Sequence, residues 1–217
     1  MTPPSNTMIH QSSGKITSFM TPGRKVASGS DIEYIPCFIE SEMATSIFKK
    51  LVDTTQWSQP QLHLFGRKRK VPRLSAWHGD QGASYCYSRL QNKPLEWNSS
   101  LMILKELVEK YVEHSFNSVL LNLYRSGADS MGWHQDTDPE LGQHPVIASI
   151  SLGGVRRFVL RHLYSEKLRM IECKPLHGSL IVMRGSTQNL WQHAVPKTRR
   201  TTEPRLNLTF RFVSIRS

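Results

Sequence analysis

Cysteine is scarce in this chain, which has only Cys37, Cys86 and Cys173 among its 217 residues and no CxxC pair. An odd number of scattered cysteines argues against a disulfide framework or a zinc knuckle. It favours a reducing, intracellular compartment, cytoplasmic or, in a eukaryote, nuclear. No apolar run reaches the roughly 18 residues of a membrane span. The first residues lack the basic-then-apolar pattern of a secretory signal, so we expect no membrane association.

Acidic residues are outnumbered, because 17 Asp and Glu stand against 28 Lys and Arg, for a net charge of +11. Such an excess favours a polyanionic partner, most often a nucleic acid. The alternative is a basic surface that only keeps the protein soluble. With 38% hydrophobic residues the chain can bury the core of one domain, and nothing in it demands more than a monomer.

The chain divides into a tail, two helices and a run of strands. Residues 1–30 are rich in Ser, Thr, Pro and Gly and predict a disordered basic tail, which leaves residues 31–217 as the folded domain. Apolar periodicity predicts helices over about 41–53 and 99–114. From Ser118 onward, short apolar runs separated by Gly and Pro predict the strands of a sandwich or barrel.

Two imidazoles and one carboxylate stand out as a possible metal site: His134 and Asp136 in an HxD pattern, with His193 downstream. This ligand set can hold non-haem Fe(II) while leaving coordination positions open. Alone, the pattern is weak, because the chain has nine histidines and most histidines lie on the surface or are satisfied core residues.

The C-terminal run supplies a candidate clamp for a dicarboxylate. Period-two alternation places Arg205, Asn207, Thr209 and Arg211 on one face of a strand. Two guanidiniums with an amide and a hydroxyl can bind two carboxylates in fixed geometry. The alternative is an ordinary strand with a wet polar face. Asn122 and Tyr124 alternate in the same way within an apolar strand, where polar groups need partners and a bound cosubstrate would supply them.

Several spaced motifs occur together and in a set order. They are residues 116–125, Gly127, 129–134, 147–153, 177–180 and 205–211. In these motifs the chain resembles the AlkB-type Fe(II)/2-oxoglutarate dioxygenases, and within that family it looks closer to the DNA-repair branch. The resemblance covers residues 31–217 and implies a mainly β fold, a double-stranded β-helix or jelly roll with N-terminal helices and a nucleotide-recognition lid.

The resemblance also implies an activity and a set of roles. The enzyme would demethylate 1-methyladenine and 3-methylcytosine in single- or double-stranded DNA by direct reversal, releasing formaldehyde and succinate. Iron would be held by His134, Asp136 and His193. The cosubstrate 2-oxoglutarate, consumed with O₂, would be held by Asn122, Tyr124, Arg205, Thr209 and Arg211, with Asn207 on the same face of the clamp.

Substrate binding is expected in a lid and finger loop at about residues 62–90. Residues 64–73 combine an apolar tip with five cations and resemble a finger hairpin. In that comparison Phe65, followed by Gly66 and Arg67, would wedge into the base stack while the cations hold phosphates. The alternative is a basic surface loop with Phe65 in the core. Further candidates for contact with the extruded base are Trp77, Tyr85, Tyr87 and Asp138.

Two positions depart from the pattern of the family. Thr137 stands where many relatives carry a second acid, and His78 stands where a tyrosine is common. Both departures leave the substrate preference open. Three other functions also stay open: the same chemistry on RNA, a nucleic-acid-binding protein with a vestigial iron site, and a protein hydroxylase. The complete set of three metal ligands and two arginines argues against a vestigial site.

Overall fold

The computed structural model describes residues 17–64, 67–83, 85–87, 90–200 and 203–214. In these residues the strands are β1 (Thr17–Phe19), β2 (Gly23–Ala27), β3 (Ser30–Ile35), β4 (Gln61–Leu64), β5 (Arg67–Lys70), β6 (Leu74–Gly79), β7 (Tyr85–Tyr87), β8 (Leu90–Asn92), β9 (Ser118–Tyr124), β10 (Met131–His134), β11 (Ile147–Gly153), β12 (Phe158–His162), β13 (Met170–Cys173), β14 (Ser179–Arg184), β15 (Trp191–Val195) and β16 (Arg205–Arg211). The helices are α1 (Ser41–Thr54), α2 (Ser99–Val112) and α3 (Thr187–Leu190), and a 3₁₀ turn spans Pro139–Leu141. None of the described helices is long and apolar enough to cross a membrane.

Two sheets form the body of the molecule. The larger sheet has seven strands in the order β2-β3-β14-β11-β16-β9-β6, and the smaller has five in the order β1-β13-β12-β15-β10. The hairpins β4-β5 and β7-β8 stand apart from both sheets. The expected mainly β architecture with N-terminal helices is therefore confirmed, and two sheets built largely from long-range antiparallel pairs are typical of a jelly roll.

Both faces of the seven-stranded sheet are covered. One core joins this sheet to helices α1 and α2 through residues such as Leu51, Leu104 and Ile150. A second core lies between the two sheets and includes Tyr124, Leu160 and Trp191. Because side chains alternate along a strand, every residue of the central strands points into one core or the other. The polar face of β16 is therefore buried between the sheets and is not wet.

The N-terminal segment differs from the expected tail in its second half. Strand β1 pairs in parallel with β13, and β2 pairs antiparallel with β3, so this segment extends both sheets. The ordering comes from backbone hydrogen bonds to strands far along the chain, which composition does not reveal. Residues 1–16 lie outside the described part, so the start of the folded domain stays a prediction.

Helix α1 begins at Ser41, yet the capping residue is Glu40. Its carboxylate accepts hydrogen bonds from the backbone N–H groups of Glu42 and Met43 at 2.9 and 3.0 Å. A carboxylate at the helix N-terminus satisfies free N–H groups and also complements the helix dipole, so Glu40 caps this helix although serine is a more usual cap. Helix α2 is capped by Asn98 and ends at Glu113 in the left-handed region, with φ 55°.

Candidate metal centre and cosubstrate pocket

Strands β10 and β15 bring the three expected metal ligands together. His134 and His193 are cross-strand partners at the edge of the five-stranded sheet, and their ring centroids lie 4.1 Å apart. Asp136 follows two residues after His134, just past the end of β10. One candidate ligand atom from each of the three side chains lies within 4.8 Å of the other two, as a single metal ion requires.

Both imidazoles are neutral, as coordination of a metal ion requires. The Nδ1 of His134 lies 2.9 Å from the carbonyl oxygen of Gly132. A carbonyl only accepts, so Nδ1 carries the proton and Nε2 keeps a free lone pair. Burial and the neighbouring His134 together lower the pKa of His193 to about 3. Burial also lowers the pKa of His134. Both rings are therefore neutral near pH 7 and can coordinate a cation.

Asp136 is ionised although it is buried. Burial raises the pKa of this carboxyl group, but the charge of Arg211 is the largest opposing effect and the pKa is held below its ordinary value. Its Oδ1 accepts a hydrogen bond from Arg211 Nη2 at 2.8 Å, and its backbone N–H donates to Gln188 Oε1 at 2.9 Å. These contacts fix the carboxylate and leave Oδ2 for another partner.

The cosubstrate candidates line the pocket between the sheets. Arg205 lies opposite Tyr124 in the β9-β16 pair, and its guanidinium carbon is 5.5 Å from the centre of the tyrosine ring. Its Nη2 donates to Ser151 Oγ at 2.8 Å. Burial lowers the pKa of Arg205 and raises that of Tyr124, so the phenol keeps its proton and can donate it to an anion.

Asn207 and Thr209 form a polar network within the protein. Asn207 Nδ2 donates to Ser149 Oγ at 2.8 Å and to the carbonyl oxygen of Ile150 at 3.0 Å. Thr209 Oγ1 donates to Asn207 Oδ1 at 3.2 Å. The donors of the Asn207 amide are thus used inside the sheet. Asn207 shapes the floor of the pocket, and the guanidinium of Arg205 is the better anion donor.

Arg73 lies in a different place from the one that its sequence context suggested. It was counted among five phosphate-binding cations of the finger loop, but its side chain is buried and Nε donates to Asn122 Oδ1 at 2.8 Å. The expectation of a surface phosphate contact is wrong for this residue. The loop before β6 turns Arg73 inward, where it orients an amide of the pocket. Sequence reasoning missed this role, since a cation within a basic run is expected to lie on the protein surface.

Arg156 is a second buried arginine that the sequence did not reveal. Nη1 donates to the carbonyl oxygen of Ser126, and Nη2 donates to those of Asp129 and Pro196, at 2.8 to 2.9 Å. The guanidinium carbon lies 5.7 Å from the centre of the Tyr124 ring, which is thus flanked by two guanidiniums. Arg156 ties the loop before β10 to the end of β15, and those strands carry the two metal-binding histidines.

Gln188 in α3 was also missed. It is buried and supports the HxD segment, because its Oε1 accepts the N–H of Asp136 and its backbone carbonyl accepts from Gln135 Nε2 at 2.8 Å. The signals available in the sequence were weak: a glutamine between Thr187 and Asn189 in a polar run, and an arginine in a loop followed by a second arginine. Neither pattern predicts burial.

The expected substrate contacts are described only in part. Phe65 and Gly66 lie outside the described residues, and Arg67, Tyr85 and Tyr87 are described only as strand backbone. The roles proposed for these five residues therefore stay predictions.

Two other candidates, Trp77 and Asp138, lie among the described residues. Trp77 is half-buried on β6, on the same face of the sheet as Asn122, because Ser75 pairs with Asn122 and Trp77 lies two residues further. Asp138 is half-buried just before the 3₁₀ turn. His78 points the other way, since its Nδ1 is 2.6 Å from the carbonyl oxygen of Glu96 on the helix side.

The residues present fit a cation and an anionic cosubstrate. Asp136 Oδ2, His193 Nδ1 and two nitrogens of Arg205, Nε and Nη1, are buried without hydrogen-bond partners in the described structure. Leaving such groups unpaired costs about 1–3 kcal/mol each, and more when they are charged. A metal ion beside Asp136 and a carboxylate beside Arg205 would remove much of this cost, so the pocket is built for ligands.

The chain is similar in sequence and in fold to known proteins. Residues 31–211 match the 2OG-Fe(II) oxygenase superfamily. The chain is 40% identical over 190 residues to alpha-ketoglutarate-dependent dioxygenase alkB homolog 3 of Homo sapiens, covering 82% of this chain and 64% of the relative. It is 34% identical over 194 residues to DNA oxidative demethylase ALKBH2 of Homo sapiens, covering 85% of this chain and 74% of the relative. The solved structure of OsALKBH1 has a TM-score of 0.61 at 17% identity, covering 88% of this chain and 100% of that chain, which is a likeness of fold.

Proposed function

This chain belongs to the AlkB-type family of Fe(II)/2-oxoglutarate dioxygenases, and from that premise we propose that it removes alkyl groups from the ring nitrogens of nucleobases. The family uses Fe(II), 2-oxoglutarate and O₂. One observation carries the proposal: three ligand side chains converge, and Arg211, which holds Asp136, shares a strand with the buried Arg205 and its two unpartnered nitrogens. The chain spans 64% of the length of its alkB homolog 3 relatives, so its activity is proposed from the site itself.

In this proposal His134, Asp136 and His193 hold the iron. When bound, Fe(II) would supply the oxidising chemistry, in which O₂ is the oxidant, 2-oxoglutarate becomes succinate and CO₂, and the N-methyl group is oxidised and released as formaldehyde. The protein keeps the ligand set ready before the metal arrives. Gly132 fixes the tautomer of His134, and Arg211 with Gln188 fixes the carboxylate of Asp136. Such outer contacts orient the ligands and tune their basicity.

The dicarboxylate is bound by the buried cation on β16. Arg205 has Nε and Nη1 unpaired on different edges of its guanidinium, and each can donate a charge-assisted hydrogen bond to an anionic ligand. Tyr124 can add a hydroxyl donor, while Asn122 is held in place by Arg73. Thr209 and Asn207 form the polar floor. The side chains of Arg205, Tyr124 and Asn122 are buried, which strengthens each charge interaction.

The proposed substrate is DNA that carries 1-methyladenine or 3-methylcytosine. The net charge of +11 suits a polyanion, and a methyl on a Watson–Crick nitrogen can be reached only in a single strand or after base flipping. Asp138, two residues past Asp136, would accept a hydrogen bond from the exocyclic amine of either base. Trp77 shares the sheet face of Asn122 and is a candidate for contact with that base.

The test uses protein purified without oxygen, loaded with Fe(II), and supplied with 2-oxoglutarate, ascorbate and a 3-methylcytosine DNA oligomer. Base mass and succinate are measured together, with a matched RNA oligomer alongside. We expect loss of one methyl for each succinate formed. His134→Ala is the control and should produce neither. Succinate without demethylation of either oligomer would contradict the substrate, and undiminished succinate from His134→Ala would contradict the assigned site.

A further inference from the structure

A flat cationic patch lies on the outer face of the five-stranded sheet. It is formed by Trp133 of β10, Arg161 of β12 and Gln192 of β15, and we call these three residues the stacking patch. Arg161 and Gln192 are direct cross-strand partners. Along the same strands His134 and His193 point to the inner face, so alternation puts the stacking patch on the opposite face of the sheet from the metal ligands.

The stacking patch holds a cation flat against an exposed aromatic ring. The guanidinium carbon of Arg161 is 4.4 Å from the centre of the Trp133 ring, and Trp133 remains 36% exposed. Arg161 Nε and Nη2 both donate to Gln192 Oε1, at 3.1 and 2.8 Å. Within the part of the chain that the structure describes, no carboxylate pairs with Arg161. The patch therefore offers an oriented positive charge and a π surface, without an internal counter-ion.

This chemistry fits a nucleotide better than it fits a peptide or a lipid. A nucleobase stacks on aromatic rings and on guanidinium planes whatever its sequence, and its phosphate is attracted by the uncompensated cation. The sign of the patch also agrees with the net charge of +11. An apolar peptide would gain little from a polar guanidinium and amide.

The stacking patch lies close to the metal centre, on the other side of the edge strand β10. Trp133 and His134 are consecutive, so their Cα atoms are about 3.8 Å apart. Strand β10 is at the edge of its sheet, with β15 as its sole neighbour among the described strands. A nucleic-acid strand can therefore place one base on the inner side, near His134, and the adjacent base on the outer side, around the edge of β10.

We propose that the stacking patch binds the nucleotide next to the alkylated one in a single-stranded substrate. This inference rests on the proposed function and adds a second subsite to it. The patch reads no base edge, so it supports binding to any sequence. It also predicts that a substrate with a flanking nucleotide is bound more tightly than an isolated nucleotide.

The first test measures binding without catalysis. Iron-free protein is titrated into a fluorescein-labelled, unmodified single-stranded oligothymidylate, and anisotropy gives Kd. We expect Arg161→Glu and Trp133→Leu each to raise Kd by about tenfold, the scale of one lost base stack. Lys49→Glu, on the exposed side of α1, makes the same charge change far from the patch and should raise Kd by less than about twofold, because salt screens distant charges. Equal effects of Arg161→Glu and Lys49→Glu would overturn the proposal.

The second test separates the subsite from the metal centre. Demethylation of 1-methyladenosine 5′-monophosphate is compared with that of a trinucleotide carrying the same base in its centre. Arg161→Glu should lower kcat/KM for the trinucleotide by about tenfold and leave the mononucleotide unchanged. Equal losses on both substrates would mean that the variant disturbs His134, and the subsite would be rejected. If the wild-type protein demethylates nothing, the proposed function fails, while the anisotropy test still decides whether the patch binds single strands.

Discussion

At the scale of single residues, the pocket stores unfavourable energy that a ligand releases. Arg205 is 2% exposed and donates from Nη2 to Ser151, while Nε and Nη1 have no hydrogen-bond partner. A buried, poorly paired charge destabilises the empty protein, and replacing such a group by an apolar side chain is often stabilising. The same nitrogens are free to bind a carboxylate. Stability and cosubstrate affinity therefore conflict at this position.

Arg205→Met should show this conflict directly. We expect the ligand-free variant to melt at the same temperature as the wild type or a few degrees higher, because the unpaired charge is gone. Binding of 2-oxoglutarate should fall at least about a hundredfold, since charge-assisted hydrogen bonds to a carboxylate are lost. Thermal unfolding by circular dichroism and calorimetric titration with 2-oxoglutarate in the presence of Co(II) measure the two effects. A variant that is much less stable than the wild type would contradict the argument.

Arg156 and Arg157 offer a matched pair of neighbouring arginines. Arg156 is buried and donates to several backbone carbonyls, whereas Arg157 is half-exposed and pairs with Glu172 at 2.7 Å. Lysine cannot replace the fork of a guanidinium. Arg156→Lys should therefore lower the free energy of unfolding by about 2–4 kcal/mol, and Arg157→Lys by less than about 1 kcal/mol.

The same pair tests the link between Arg156 and the pocket. Because Arg156 lies against Tyr124 and ties the loops next to β10 and β15, Arg156→Lys should also raise the KM for 2-oxoglutarate by more than it lowers kcat. Urea unfolding and steady-state kinetics at varied 2-oxoglutarate provide the two readouts. Similar values for the two variants would show that Arg156 has no special role.

At the scale of elements, the loop after β9 packs directly against the loop after β15. The backbone N–H of Thr198 donates to the carbonyl oxygen of Gly127 at 2.9 Å. A Cβ added at Gly127 would lie 2.4 Å from the carbonyl oxygen of Thr198 and 2.8 Å from that of Arg200. These are backbone atoms, which cannot swing aside as a flexible side chain would.

Gly127→Ala should therefore force the two loops apart. We expect the free energy of unfolding to fall by about 1–3 kcal/mol, as for other overpacked sites. Gly132→Ala is the control, because a Cβ there meets nothing within 4 Å and should change stability by less than about 0.5 kcal/mol. Chemical denaturation of both variants checks the difference. A Gly127→Ala variant as stable as the control would show that the loops can relax without cost.

Helices and strands that have a clear local pattern of apolar residues could be predicted from the sequence. Strands whose order depends on pairing with distant parts of the chain could not. The apolar periods of α1 and α2 located both helices to within two residues at each end, and alternation identified the strands that contain Asn122 and Arg205. Strands β1 and β2 were missed because their order comes from pairing with β13 and β3. The three metal ligands were predictable as a set, but the supporting contacts of Arg73, Arg156 and Gln188 depend on tertiary packing that no local pattern encodes.

At the scale of the whole molecule, the buried neutral histidines make the fold sensitive to acid. Burial lowers the pKa of His78, and it also lowers the pKa values of His134 and His193. The unfolded chain binds protons on these rings near pH 6.5, while the folded chain resists them down to lower pH. The stability that these neutral rings contribute is therefore fully present above about pH 6.5. It is lost progressively as the pH falls, until the folded-state pKa values are reached.

The metal-free protein should accordingly lose stability between pH 7.5 and 5.5. Each ring that stays neutral in the fold contributes a loss of up to about 1.4 kcal/mol at pH 5.5, one pH unit below the unfolded pKa. For a domain of this size, that corresponds to up to about 3–6 °C in Tm for each histidine. His78 lies away from the metal centre. His78→Phe should remove the part of the pH dependence of stability that comes from this one histidine. Melting curves of both proteins across this range, without metal, check the result, and a variant with the wild-type pH dependence would contradict the assignment to His78.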